Sequence, residues 1–262
     1  MASTGVRIGV RVQRLALLLV VGLGLTACAV PRVQQPPKPT LAPITAPLPI
    51  HAARLSAAAG ILDPQVLAQL PERGKAILVN IPSFELIAFE DRRPVLRSRV
   101  IVGKPATPTP IWNTATSVVR FRPTWTPTPR MIASGKYRPG TRPAGPRNPL
   151  GFLAIRLDPG SLIYLHGTNK PQLYNREARA LSHGCVRVER WDEVAAWVLD
   201  IPVEAVLDHA HDGGRTFDMP TNGVPVIMTY LTEFPDADGV IRQHKDIYSR
   251  ETYAAKPAPS VL

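Results

Sequence analysis

The sequence predicts a mainly β domain, a sandwich or barrel with a few short helices. Three observations predict it. Apolar residues alternate along several short runs, turn residues punctuate those runs, and one segment carries the clearest helical stripe.

The strands begin at Lys75. Ile77, Val79 and Ile81 alternate, as do Phe84, Leu86 and Ala88, and Pro82-Ser83 between them makes a hairpin. Further strand-like runs cover residues 95–102, 116–121, 152–157, 162–166 and 224–231. Asp158-Pro159-Gly160-Ser161 reads as a turn between two of them. Residues 189–199 form the helix, because Val194, Trp197 and Val198 fall on one face at i, i+3 and i+4. Trp191 and Trp197 are expected in the core, His209 and His211 on a solvent-facing loop. Trp112 and Trp125 could stack on sugar. No internal repeat is visible.

The N-terminus has a different character. Arg7, Arg11 and Arg14 precede an apolar run over residues 15–25, and Leu25-Thr26-Ala27-Cys28 follows. A basic region, a short apolar stretch and small residues before a cut site describe a secretory signal. The run is shorter than the roughly 20 residues a membrane-spanning helix needs. The four residues ending at Cys28 resemble a bacterial lipobox, so residues 1–27 are expected to be removed and Cys28 lipidated. Only Cys185 then remains as a thiol, and an unpaired Cys in an exported chain is flagged as reactive. Removing the three Arg of the signal takes the net charge from +11 to +8. A basic surface suits cell-wall polymer or lipid headgroups, and export argues against nucleic acid. Residues 28–51 are Pro-rich and read as a semi-rigid tether. Residues 52–70 read as a short helical segment, with Asp63-Pro64 at a helix start. Residues 71–252 form the folded domain and 253–262 a tail.

Residues 122–149 stand apart. They hold seven Pro, six Lys or Arg and no Asp or Glu. A stretch this long without elements reads as a lid or a solvated loop. A cationic lid, placed at about 122–150, would suit a substrate rich in carboxylates.

The chemistry concentrates in Tyr164-Leu165-His166-Gly167-Thr168 and Ser182-His183-Gly184-Cys185-Val186-Arg187. A thiol is a weak nucleophile until a base or a positive charge favours its thiolate. His166 ends a strand-like run, and its ring could project from a sheet edge. Gly184 allows the backbone before Cys185 to approach a substrate closely. Successive N–H groups in that turn could face a developing oxyanion. Arg187 adds fixed positive charge. His166, His183 and Cys185 are also donors that suit zinc, but a fourth ligand is not evident nearby.

Histidine, fifteen residues, Ser-His-Gly-Cys, an apolar residue and Arg together resemble the signature of L,D-transpeptidases with a YkuD-type catalytic domain. Asn80-Ile81-Pro82, Ile111-Trp112-Asn113, residues 145–151 and Asp246-Ile247-Tyr248 resemble segments of the lid-bearing branch of that family. The resemblance covers residues 75–253 and departs in having no wall-binding module before the domain and an Arg/Pro-rich lid. It implies a YkuD-like β fold needing no metal or cofactor, with Cys185 as nucleophile and His166 as base. It also implies an oxyanion and orienting set of Gly184, His183 and the Gly167 carbonyl, and substrate contacts from Ser182, Arg187 and Asn148. The implied substrate is a peptidoglycan stem tetrapeptide, cleaved before its terminal D-Ala through a thioester that an amine resolves. A hydrolase using the same site and a non-catalytic wall-binding lipoprotein are the competing readings. The protein is expected as a monomer on the periplasmic face of a bacterial membrane.

Overall fold

The computed structural model describes residues 64–158 and 162–250. The signal segment, Cys28, the tether, Asp63, the turn at 159–161 and the tail 253–262 lie outside them. Helix α1 (Pro64–Gln69) leads into β1 (Lys75–Asn80) and β2 (Glu85–Glu90), antiparallel from Lys75↔Glu90 to Asn80↔Glu85. The hairpin turn places Phe84 at φ 57°. These strands are buried on both faces. Ile77, Val79, Leu86 and Ala88 enter the main core, while Ala76, Leu78, Ile87 and Phe89 pack with Val66 of α1 and Leu70 just after it.

β3 (Arg93–Gly103) and β4 (Trp112–Phe121) are long, and the lid follows with its one-turn helix α2 (Pro129–Ala133). Next come β5 (Leu153–Leu157), β6 (Tyr164–His166), a 3-10 turn (Pro171–Asn175), β7 (Ala180–Ser182) and β8 (Val186–Val188). Helices α3 (Trp191–Leu199) and α4 (Val203–His211) precede β9 (Phe217–Pro220), β10 (Pro225–Thr229), β11 (Glu233–Pro235) and β12 (Ile241–Gln243).

The pairings run β1-β2-β3-β8-β6-β5-β4-β10, and β10 returns to β1 as a parallel neighbour, which closes a barrel. Closure leaves these strands no free edge. β9 extends from β4, and β7 from β3. The mainly β expectation is borne out, with the barrel as its form.

Several local expectations need correction. The helix starts at Trp191, since the Glu189 N–H still donates to the Arg99 carbonyl at 3.1 Å as a continuation of the β3–β8 ladder. Trp191 and Trp197 are half-buried at the rim of the core rather than inside it. His209 and His211 lie on helix α4, not on a loop, because Val203, Val206 and Ala210 make an apolar stripe. His209 meets Phe121 and Phe217 edge-on at 5.3 and 5.4 Å, and His211 lies 4.2 Å from Phe152. Arg122 does not belong to the cationic lid. It is buried, with Nε donating to the Gly214 and Arg215 carbonyls at 2.9 and 3.0 Å and Nη1 paired with Asp212.

The lid itself is folded. Trp125 and Arg142 exchange backbone hydrogen bonds of 3.0 and 2.7 Å, and the Thr126 and Thr141 hydroxyls meet at 2.8 Å. Thr128 caps α2 by accepting from the Met131 N–H. Asn148 ties the lid's two ends together, its Nδ2 donating to the Pro123 and Pro143 carbonyls at 2.8 and 2.9 Å. Trp125 carries Arg142 over its ring at 5.2 Å.

Gly151, at φ 72°, lets the lid's exit strand cross the chain just after His166. A Cβ there would lie 2.7 Å from the Thr168 amide nitrogen. Gly151→Ala should therefore lower the melting temperature by roughly 4 °C or more, from about 2 kcal/mol of strain and backbone displacement. An unchanged thermal midpoint by calorimetry would refute this account of the crossing.

Candidate active site

β6 and β8 lie side by side and parallel, with Leu165↔Val186 and His166↔Arg187 in register. Leu165 and Val186 are fully buried in the core. Strand alternation turns His166 and Arg187 to the opposite face, and Cys185, two residues before Arg187, falls on that face too. The pairing thus sets histidine, guanidinium and thiol on one face of adjacent strands.

Cys185 is entered through Gly184 at φ 117°, a conformation L side chains rarely adopt. Side chains hold this turn from both sides. The Ser182 hydroxyl accepts the Gly184 N–H at 3.1 Å and donates to the Cys185 carbonyl at 2.5 Å. The Thr109 hydroxyl donates to the Gly184 carbonyl at 2.8 Å and accepts the Gly103 N–H at 2.8 Å. Tyr248 completes the buttress, its hydroxyl accepting the Thr109 N–H at 3.1 Å and donating to the Gly103 carbonyl at 2.6 Å. In a trans peptide the C=O and N–H point opposite ways. Fixing the Gly184 carbonyl on Thr109 therefore aims the Cys185 N–H away from the buried Thr109 side.

His166 is 4% exposed, and its Nδ1 lies 2.6 Å from the Gly167 carbonyl oxygen. A carbonyl only accepts, so Nδ1 carries the hydrogen and Nε2 is the basic nitrogen. Burial, reinforced by the Arg187 charge, holds the imidazole down to about 3, against weaker support for the cation from the Gly167 and Leu150 carbonyls. The half-buried Cys185 thiol donates to the Leu162 carbonyl at 3.3 Å. Burial pushes it up, opposed by the Tyr164 backbone and by Arg187. Both partners thus rest in their neutral forms. His183, half-buried beside them, is met edge-on by Tyr137 of the lid at 5.4 Å. The lid lies against the turn that carries the thiol.

Two residues expected to touch substrate have their polar groups engaged by backbone. Ser182 is 2% exposed with its hydroxyl engaged in the turn, and Asn148 is 1% exposed with its amide engaged in the lid. Arg187 remains half-buried on the site's face. Among the described residues no cluster of three or more His, Cys, Asp or Glu is gathered. Sequence reasoning missed Thr109, Lys104 and Tyr137. The Tyr248 signal was present in Asp246-Ile247-Tyr248, but Thr109 sits in a Thr-Pro repeat that carries no chemical mark.

Residues 74–227 match the family model described as the L,D-transpeptidase catalytic domain, YkuD. The chain belongs to that family. The probable L,D-transpeptidase YbiS of Escherichia coli K12 is 33% identical over 197 residues, 64% of this chain and 63% of its own. The probable L,D-transpeptidase YcfS of the same organism is 42% identical over 131 residues, 47% of this chain and 39% of its own. A Haemophilus influenzae relative carrying the L,D-transpeptidase name is 29% identical over 53% of this chain and 36% of its own. The chain thus spans from about a third to just under two thirds of these relatives' lengths. An L,D-transpeptidase from Mycobacterium smegmatis, at 19% identity over 59% of this chain and 58% of its own, gives a TM-score of 0.38, too loose a likeness to add to the family match.

Two outcomes follow from this geometry. Thr109→Val should leave the Gly184 carbonyl buried without its donor and slow acylation of Cys185 roughly tenfold or more with little change in KM, as loss of an aimed oxyanion donor does. Thr109→Ser should restore the rate; equal impairment of Val and Ser variants would refute the positioning role. Alkylation of Cys185 by iodoacetamide should keep accelerating as pH rises past the ordinary thiol value of 9.0, since burial raises the thiol. A plateau below pH 8 would show an activated thiolate at rest instead.

Proposed function

We propose that the chain is a peptidoglycan L,D-transpeptidase, with Cys185 as nucleophile and His166 as base. The observation that carries this reading is the shared face of β6 and β8, in a chain of the YkuD family. In this reading Cys185 attacks the carbonyl before the terminal D-Ala of a stem tetrapeptide. Because thiol and imidazole both rest neutral, the proton passes to His166 Nε2 as the S–C bond forms. Arg187 favours the thiolate as it develops. The Gly184 N–H is engaged by Ser182, so the Cys185 N–H and the His183 ring are the groups offered to the oxyanion. Collapse breaks the C–N bond, and the proton on Nε2 goes to the departing D-Ala amine. An acceptor amine then attacks the thioester, gives its proton to His166 and frees the thiol.

Transfer is favoured over hydrolysis by the lid, whose Tyr137 packs on His183 and covers the turn. The acceptor is a second stem peptide, giving a 3-3 cross-link, or an amine on another protein. A lipid on Cys28 would hold the enzyme at the periplasmic face of a bacterial membrane, with the Pro-rich segment as spacer.

Mass spectrometry of muropeptides tests this. The full chain and Cys185→Ala are incubated in detergent with disaccharide-tetrapeptides. The expected product is a dimer that has lost one D-Ala, abolished in the variant. Tripeptide alone would favour the hydrolase, and identical mixtures from both proteins would overturn the catalytic reading.

A further inference from the structure

Three cations cluster near the site with no carboxylate within ion-pair distance among the described residues. The ion pairs among the described residues involve Lys75 and seven arginines, and none includes Lys104, Arg130 or Lys136. These three gather around His183. Lys104 Nζ lies 3.5 Å from His183 Nε2. Arg130 donates to the Ala106 carbonyl at 3.3 Å, two residues along from Lys104. Lys136 precedes Tyr137, whose ring meets the His183 ring. After burial, the charges that bear most on that ring are all positive: Lys104, Arg187, Lys136 and Arg130. Like charges this close repel one another, and an arriving anion relieves that cost. The side chains also permit a ligand, since Lys136 and Arg130 are exposed and Lys104 is half-exposed.

We propose that Lys104, Arg130 and Lys136 bind the free C-terminal carboxylate of the donor peptide, one residue beyond the bond that Cys185 breaks. This rests on the transpeptidase reading. The lengths agree. Three backbone bonds separate the attacked carbonyl carbon from that carboxylate carbon, which puts them at most about 4 Å apart. His183 and Cys185 are two residues apart, so their Cα atoms lie within about 7 Å. A carboxylate on the leaving residue is therefore within reach of the cations around His183 when its carbonyl sits at the thiol. Ammonium and guanidinium donors to a carboxylate form charge-assisted hydrogen bonds, about twice as strong as neutral ones. The rim would hold the departing D-Ala and orient the carbonyl at once.

The test compares two donors, a disaccharide-tetrapeptide ending in D-Ala and the same compound ending in D-alaninamide, on the full chain in detergent. Acylation of Cys185 is followed by mass spectrometry. For the unsubstituted protein, kcat/KM should be about tenfold or more higher for the carboxylate donor. In Lys104→Met with Lys136→Met that ratio should fall towards one, because the carboxylate donor slows. Equal rates with both donors in the unsubstituted protein, or a ratio unaltered by the substitutions, overturns the site. A third donor, amidated only on the D-Glu of the stem, assigns the charges elsewhere if it alone loses rate. Should neither principal donor acylate a protein whose Cys185 still reacts with iodoacetamide, the transpeptidase reading itself fails, and the carboxylate site with it.

Discussion

Everything at the site depends on the parallel register between β6 and β8. Each strand is only three residues long, yet the pairing of Leu165 with Val186 and of His166 with Arg187 decides which side chains share a face. A slip of one residue would send His166 into the core and Leu165 to the cleft. Burial of Leu165 and Val186 resists that slip, since each full apolar side chain removed from water contributes about 1.5–3 kcal/mol. Barrel closure adds to the resistance, because β8 is also held by β3 and β6 by β5.

Around this register the polar groups divide into those that shape and those that remain available. Ser182, Thr109 and Tyr248 satisfy the backbone of a turn that Gly184 alone could make, and Asn148 satisfies the ends of the lid. Buried side chains of this kind cannot also bind a ligand, because breaking one bond to make another leaves a buried group unpaired. His166, Cys185, Arg187 and His183 are the groups left available around the Gly184 turn. Their environment holds thiol and imidazole neutral at rest, not as a standing ion pair.

The lid joins the two themes. Its aromatic pair, Trp125 and Tyr137, packs at 5.8 Å, and Tyr137 continues onto His183. Its Pro-rich sequence hides an ordered loop, because hydrogen bonds from Asn148 and the Trp125–Arg142 bridge close it where no regular periodicity appears.

The sequence by itself determined the β class, most strand positions, a helix at 189–199 whose start the structure moves to Trp191, and the pairing of Cys185 and His166 in one motif. These are legible because period-two burial and a fixed spacing of reactive residues are local properties. It did not reveal that backbone groups engage the Ser182 and Asn148 side chains, that Arg122 is buried, or that Thr109 and Tyr248 buttress the turn before Cys185. Those roles arise between residues far apart in the chain, such as Thr109 and Gly184, separated by 75 positions. Only the tertiary structure decides them, because whether a polar side chain meets substrate or backbone depends on which distant backbone groups the closed barrel leaves unsatisfied.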